Sequence, residues 1–304
     1  MRILVVGAGA TGGLFGARLA HAGRDVTFLV RPKRAAQLRA SGLHVVGPLG
    51  DVAVTPTLVE RSGIEGHYDL VLLGLKAYQL EDAIEDFAPA VGPATSILPM
   101  LNGMRHLDRL ADHFGENAVL GGVCIVSSTL DGEGRIVQLH EAQALVYGEQ
   151  SGERTTRAIR VDAALKDAGF GATLSEHVLR DMWEKWRFLA TLAAGNVLMR
   201  GNVDEIVAAG GAQTMTAIFD ECTAIAQRSG YELTDGLVGN ALERLTTPGL
   251  PLTASMYRDM LGGARVEADQ ILGDLVTRGA ALGVSTPLLA AAYAQLNVYQ
   301  RALA

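Results

Sequence analysis

The run Ile3-Leu4-Val5-Val6-Gly7-Ala8-Gly9-Ala10-Thr11-Gly12 restricts the fold more than any other feature. An apolar strand breaks into three glycines at fixed spacing and then into a helical stretch through Leu14, Leu19 and Ala20. Each glycine meets a different demand. The first permits a tight turn, the second lets a pyrophosphate approach bare backbone, and the third lets the helix pack closely on the strand. The helix N-terminus then faces the anion with unpaired N–H groups. A glycine-rich turn alone can exist only to turn. Set between a strand and a helix, it predicts dinucleotide binding, with Gly7, Ala8, Gly9, Ala10, Thr11 and Gly12 as candidate contacts.

Cofactor choice is read about twenty residues further on, at the end of the second strand, where a carboxylate suits the 2′-hydroxyl of NAD and a basic residue the 2′-phosphate of NADP. Here Val26–Val30 ends in Arg31, with Lys33 and Arg34 close behind and no carboxylate among them. The plain alternative is a solvated basic turn. The expectation is NADP(H), with Arg31 among its contacts.

At 304 residues the chain is too long for one small core and suggests two domains. Hydrophobic residues make up 49% and charged residues 19%, which fits a globular chain rather than a disordered one. A formal charge of −7 argues against a nucleic-acid partner, since neutralising phosphates needs a basic face. Cys124 and Cys222 are far apart, without a partner motif; that fits a reduced, cytoplasmic protein, and no metal is expected. The first twenty residues superficially resemble a secretory signal, but glycines at 7, 9, 12, 13 and 16 spoil the apolar helix a signal needs. No stretch is long and apolar enough for a membrane span, so a soluble protein is expected.

Residues 1–175 read as alternating strands and helices. The apolar runs Val26–Val30, Leu70–Leu75, Ile97–Leu101, Val119–Val126 and Leu145–Tyr147 suggest strands buried on both faces, as in a parallel sheet covered by helices. Gly132-Glu133-Gly134 and its neighbouring strands look more like an antiparallel extension. Residues 176–304 are alanine- and leucine-rich and helical in pattern. The expected fold is therefore an α/β Rossmann-type N-terminal domain, 1–175, and an all-helical C-terminal domain, 176–304, with ligands in the cleft between them. The long helices could supply a homodimer interface or pack internally.

Lys76 and Asn102 follow strand runs, and the carboxyl ends of strands line the ligand crevice of open α/β sheets. Against this, Asn102-Gly103 is a common turn pair and Lys76 could be a surface lysine. In the helix expected over Val178–Met199, Lys185 shares a stripe with Leu189 and Leu192. A lysine there usually lays its stem on apolar surface with the ammonium in water. The sharper reading is a partly desolvated ammonium that donates to a carbonyl oxygen as negative charge develops. A further helix is expected from Thr253, with Thr253 or Ser255 as its cap, Gly262-Gly263 as a weak point, and Glu267 on its continuation.

These residues match a known pattern. The chain resembles the ketopantoate reductases (2-dehydropantoate 2-reductases) over nearly its whole length. The matching pieces are the glycine turn, Leu75-Lys76-Ala77-Tyr78-Gln79, Leu101-Asn102-Gly103-Met104, Trp183-Glu184-Lys185, and Ser255-Met256-Tyr257-Arg258-Asp259 followed by Glu267. The resemblance implies that Lys185 is the general acid and that Glu267 helps bind substrate and nicotinamide ribose. It places Asn102 against substrate and cofactor, Ser255 against the substrate carboxylate, and Lys76 beside the cofactor. The implied reaction is hydride transfer from NADPH to the 2-carbonyl of a 2-oxo acid, with 2-dehydropantoate as the default substrate in pantothenate biosynthesis.

One departure bears on the substrate. Family members usually carry asparagines four and eight residues after the lysine, where this chain has Leu189 and Ala193. Losing those amides would disfavour a polar ligand and admit a bulkier or more apolar 2-oxo acid, or an imine made from one. Asn196 lies roughly on the same stripe and could replace them in part. An alternative of another class is a catalytically silent NADPH-binding regulator, against which the retained Lys185 and Glu267 speak.

Overall fold

The computed structural model describes residues 1–234 and 236–303. The chain forms two compact units: Met1–Leu101 with His106–Leu179, and Asn102–Arg105 with Arg180–Ala304.

The first unit is built on β1 (Arg2–Val6), β2 (Asp25–Leu29), β5 (Thr57–Val59), β6 (Leu70–Leu73) and β7 (Ser96–Pro99), in the order β5-β2-β1-β6-β7. Every pairing in this sheet is parallel. Continuous apolar runs are what such a sheet requires, and all four residues of β6 and of β7 are buried. After β1 the chain passes through α1 (Ala10–His21) to β2 on one side, and later returns as β6 on the other. β1 thus marks the topological switch point where ligands of such folds settle. Gly7, Gly74-Leu75-Lys76 and Met100-Leu101-Asn102 follow β1, β6 and β7 at adjacent carboxyl ends. Helices α2 (Pro32–Ser41), α3 (Leu80–Phe87), α4 (Arg105–Phe114) and α5 (Thr156–Leu165) complete the wound layers.

A second sheet joins β3 (Leu43–Val46), β4 (Val52–Val54), β9 (Ile136–Gly148) and β10 (Gly171–Leu174), with β8 (Gly121–Leu130) on β9. The antiparallel extension expected around Gly132-Glu133-Gly134 is the β8–β9 hairpin. It also takes in Gly121–Val126 and Leu145–Tyr147 from runs whose apolar character assigned them to the parallel sheet; Val119 alone bridges parallel to Ile97, and Leu145–Tyr147 pairs parallel with β10 on its other side. The reason is the connection: Asp131 and Arg135 close a tight turn, and parallel strands would need a crossover of a dozen or more residues.

The second unit is helical. Its central element is α6 (Val178–Met199), which has the expected bounds. It is followed by α7 (Val203–Ala208), α8 (Ala212–Arg228), α9 (Ala241–Thr246), α10 (Ser255–Leu261), α11 (Asp274–Ala281) and α12 (Pro287–Ala302). The helix expected from Thr253 through Glu267 is two. Ala254 is the N-cap residue of α10 and Ser255 is its first helical residue, so neither Thr253 nor Ser255 caps it. Gly262-Gly263 ends α10 outright: Gly263 turns to φ +70° and the Ala264 N–H closes back on the Asp259 carbonyl. Glu267 lies just before the next helix, which opens with a π-helical turn at Asp269–Gly273 before α11. Among the described residues no helix is long and apolar enough to cross a membrane.

Candidate functional site

The glycine turn is shaped by what is missing from it. Gly7 sits at φ +90°, and its N–H donates to the Leu29 carbonyl at 3.0 Å. A Cβ on Gly12 would lie 2.2 Å from the Gly7 carbonyl oxygen, so the start of α1 packs on the strand only because that Cβ is absent. A Cβ on Gly9 would meet nothing within 4 Å. Gly9 is the N-cap of α1; no side chain caps the helix and its first turn holds no acidic residue. A bare helix N-terminus beside open space fits a dinucleotide pyrophosphate, which would rest on main-chain N–H groups from Gly9 onward.

Two side chains brace this turn from behind. The Arg34 Nε donates to the Ala8 carbonyl at 3.0 Å, and its Nη1 donates to the Gly134 carbonyl at 3.0 Å and to Gln37 Oε1 at 2.6 Å. The Ser128 hydroxyl donates to the Ala10 carbonyl at 3.1 Å. Burial holds the Arg34 guanidinium below its ordinary value, though arginine stays charged in proteins. The basic cluster after β2 therefore divides its work: Arg34 supports the turn, while Arg31 is exposed and faces Asp82 of α3 at 3.5 Å. That carboxylate comes from 51 residues downstream, beyond the reach of a local reading. Lys76 stands at the N-terminus of the short helical turn Ala77–Gln79, half-buried, with its N–H donating to Gln79 Oε1 at 3.1 Å.

In the helical unit, Lys185 and Asn102 meet. The Lys185 ammonium donates to Asn102 Oδ1 at 2.7 Å across 83 residues of sequence. Between Met182 and Val197, α6 is buried at every position but two, Lys185 and Leu189. The lysine is thus half-buried on an otherwise enclosed helix, with its ammonium held by a named partner rather than solvated at random.

The Asn102 turn is itself held. Gln270 Nε2 donates to the Asn102 carbonyl at 2.8 Å, and Trp186 Nε1 donates to the Ile271 carbonyl at 2.9 Å. Gln270 is a residue that the sequence pattern missed, since a glutamine among Val266, Ile271 and Leu275 carries no signal of its own. Glu267 is 7% exposed, and its carbonyl receives the Ile271 N–H at 3.0 Å. Ser255 reaches its place by a separate route. Asn196 Oδ1 accepts from the N–H of Ala254 at 2.8 Å, and Asn196 Nδ2 donates to the Gly201 carbonyl at 2.7 Å. Asn196 is fully buried with both ends of its amide in use, so it cannot stand in for the amides absent at 189 and 193. Ala193 is buried, and Leu189 remains the apolar neighbour one turn from Lys185.

Comparisons with known proteins agree over both units. The family description ketopantoate reductase PanE/ApbA matches residues 3–152, and that of its C-terminal region matches residues 177–300. The chain is 35% identical over 301 residues to the uncharacterized oxidoreductase YkpB of Bacillus subtilis, covering 99% of each. Among solved structures, the 2-dehydropantoate 2-reductase of Geobacter metallireducens aligns with a TM-score of 0.87 at 29% identity, covering 98% of this chain and 99% of that one. The ternary structure of D-mandelate dehydrogenase with NADH and anilino(oxo)acetate aligns with a TM-score of 0.89 at 23% identity, covering 100% and 99%. At that identity the likeness is one of fold.

Proposed function

Because the chain belongs to the ketopantoate reductase PanE/ApbA family, an oxidoreductase family, we propose that it reduces the 2-carbonyl of a 2-oxo acid with NADPH. The default substrate is 2-dehydropantoate and the product pantoate. The observation that carries the reading is the Lys185–Asn102 pair, a half-buried ammonium oriented by an amide oxygen. Bound nicotinamide supplies the hydride; the chain supplies position, charge and a proton.

Lys185 carries the proton. The hydrogen bond to Asn102 Oδ1 aims the ammonium rather than leaving it to rotate among waters. A partly desolvated ammonium attracts developing negative charge on a carbonyl oxygen more strongly than a solvated one. It then gives its proton to the new alkoxide, so the ketone gains one hydride and one proton overall. Asn102 orients the ammonium, Ser255 takes the substrate carboxylate, and Glu267 takes substrate and ribose hydroxyls. Lys76, Arg31 and the turn Gly7, Ala8, Gly9, Ala10, Thr11, Gly12 hold the cofactor.

A second reading is favoured by Leu189. An apolar side chain one turn from the ammonium, with Ala193 beyond it, suits an apolar or aryl 2-oxo acid better than a hydroxylated one. The shared fold of a D-mandelate dehydrogenase solved with anilino(oxo)acetate supports testing that class, and the NADH in it supports testing both nicotinamides.

The test is nicotinamide oxidation with ketopantoate and with branched and aryl 2-oxo acids, using NADPH and NADH, on wild type and Lys185→Ala. The expected result is turnover that Lys185→Ala reduces by about 10²–10⁴ while cofactor affinity is little changed. Turnover of only the apolar acids replaces the default substrate by the second reading. Cofactor binding without any turnover would return the chain to the regulatory alternative.

A further inference from the structure

We propose that Gln270 is a positioning residue: it holds the Asn102 turn so that Asn102 Oδ1 stays on the Lys185 ammonium. The proposal rests on the reading of Lys185 as general acid. Gln270 is 6% exposed and lies in the π-helical turn Asp269–Gly273. Its Nε2 donates to the Asn102 carbonyl at 2.8 Å, while Asn102 Oδ1 receives Lys185 Nζ at 2.7 Å. Anchor and acceptor thus belong to one residue, its main-chain carbonyl and its side-chain amide.

Gly103 shows how closely the two segments fit. It adopts φ +79°, and a Cβ there would fall 2.7 Å from the Gln270 carbonyl oxygen and 3.2 Å from Gln270 Nε2. The turn can therefore settle on Gln270 only with a glycine after Asn102. Ile271, the next residue, accepts from the indole of Trp186, which itself follows Lys185 in the chain. Two consecutive residues of the π turn therefore hold both partners of the pair, one through Asn102 and one through Trp186.

The π turn makes this double hold geometrically available. It inserts an extra residue into the helix. Deleting that residue would rotate the start of the turn against α11 by about 100°, the angle per residue of an α-helix. The far side of the turn is fixed as well. Tyr293 of α12 donates to Asp269 Oδ1 at 2.6 Å, and a Cβ on Gly273 would lie 2.8 Å from the Tyr293 ring. A turn that bonds to Asn102 and to the residue after Lys185 is suited to setting the separation of the pair. Displacements of about 1 Å at a reacting group cost up to about a hundredfold in rate.

A buried glutamine could instead do no more than satisfy a buried carbonyl, and a double-mutant cycle separates the two roles. Gln270→Leu removes the donor at similar volume, with Gln270→Met as the second variant should leucine fail to fold. Each is measured alone and with Asn102→Ala, using the best substrate of the panel, for kcat, KM, cofactor affinity and Tm. The expected result is a kcat loss of about tenfold or more, larger than any loss of cofactor affinity, and no further kcat loss once Asn102 is alanine. The Tm loss persists in both backgrounds, because the carbonyl of residue 102 is still there to be left unpaired. A readout independent of turnover is the ¹H–¹⁵N signal of the Lys185 ammonium, assigned by its absence in Lys185→Ala. In Gln270→Leu it moves toward its position in Asn102→Ala. An unchanged kcat and ammonium signal, or kcat losses that multiply with Asn102→Ala, overturn the positioning role. Full activity of Lys185→Ala would overturn the general-acid reading itself, a different outcome from a Gln270 variant that is merely silent.

Discussion

The glycine turn of the first unit and the Lys185–Asn102 pair of the second are built by opposite means. In the turn the proposed binding groups are main-chain N–H groups, and the sequence contributes by withholding side chains: no Cβ at Gly12 where the Gly7 carbonyl lies, none at Gly9 where space is open. In the pair everything depends on two side chains 83 residues apart, on elements that would fold with other residues in their place. The first kind of site imposes a local pattern on the chain. The second imposes none.

The largest expected effect tests the first half of that contrast. Gly12→Ala puts a Cβ 2.2 Å from the Gly7 oxygen and 3.1 Å from Gly74, all backbone that must move. Overpacking of this kind costs about 1–3 kcal/mol or more, so the variant loses several degrees of Tm together with cofactor binding. Gly9→Ala separates the two losses. Its φ of −85° accepts an alanine and its Cβ meets nothing, so Tm stays at the wild-type value. Cofactor affinity falls nonetheless, because the methyl occupies the space beside the helix N-terminus. Calorimetry and fluorescence titration of the two variants check this. A Gly9→Ala protein that binds NADPH as tightly as wild type would mean that the pyrophosphate does not rest there, and the contrast fails.

The same contrast explains what could be read in advance. β1, α1, β2 and the glycine turn follow from apolar runs and glycine spacing, and α6 kept its expected bounds because 22 residues of helical periodicity outweigh local noise. The short strands β3, β4, β5 and β10 are half-exposed and give no continuous buried run, unlike the four-residue β6 and β7, which are buried throughout. Arg34 and Arg31 are alike in sequence; only the fold ties one to Ala8 and leaves the other exposed. Lys185 read as an ordinary snorkelling lysine on pattern alone, and family resemblance raised it to a candidate. Asn196 shows the reverse error: a shared helix stripe suggested a ligand contact, whereas its amide is spent on Gly201 and Ala254. Gln270 was invisible because its partner is a backbone carbonyl, which every residue has.

A smaller effect probes the side-chain half. If Leu189 forms the apolar wall near Lys185, Leu189→Asn restores a donor and acceptor there without touching the general acid. The ratio of kcat/KM for ketopantoate over an apolar 2-oxo acid then rises about tenfold, the worth of one added hydrogen bond of about 1–1.5 kcal/mol. Cofactor affinity, in which residue 189 has no proposed part, does not move. A ratio unaffected by the substitution would remove Leu189 from the substrate's surroundings and leave Ala193 alone to account for the departure.

The smallest expected effect keeps the two halves apart on the pH axis. Glu149, at the end of β9, is buried, and burial alone would raise its carboxyl. Hydrogen bonds from Arg157 and Thr155, with the charge of Arg157, outweigh that and hold it below the ordinary carboxylate value. A carboxyl lowered by folding contributes stability that is fully present above its unfolded value, about 4.3, and is lost as pH falls through the folded value. Glu149→Gln should therefore melt a few degrees below wild type at pH 7, with the gap closing as the pH drops below about 4.5. Lowered further by folding, Glu149 stays ionised between pH 6 and 9, so a change in kcat across that range does not come from its titration. Melting curves at pH 3.5, 5 and 7 decide it. A gap that stays constant across them would show that Glu149 acts by packing rather than by its charge.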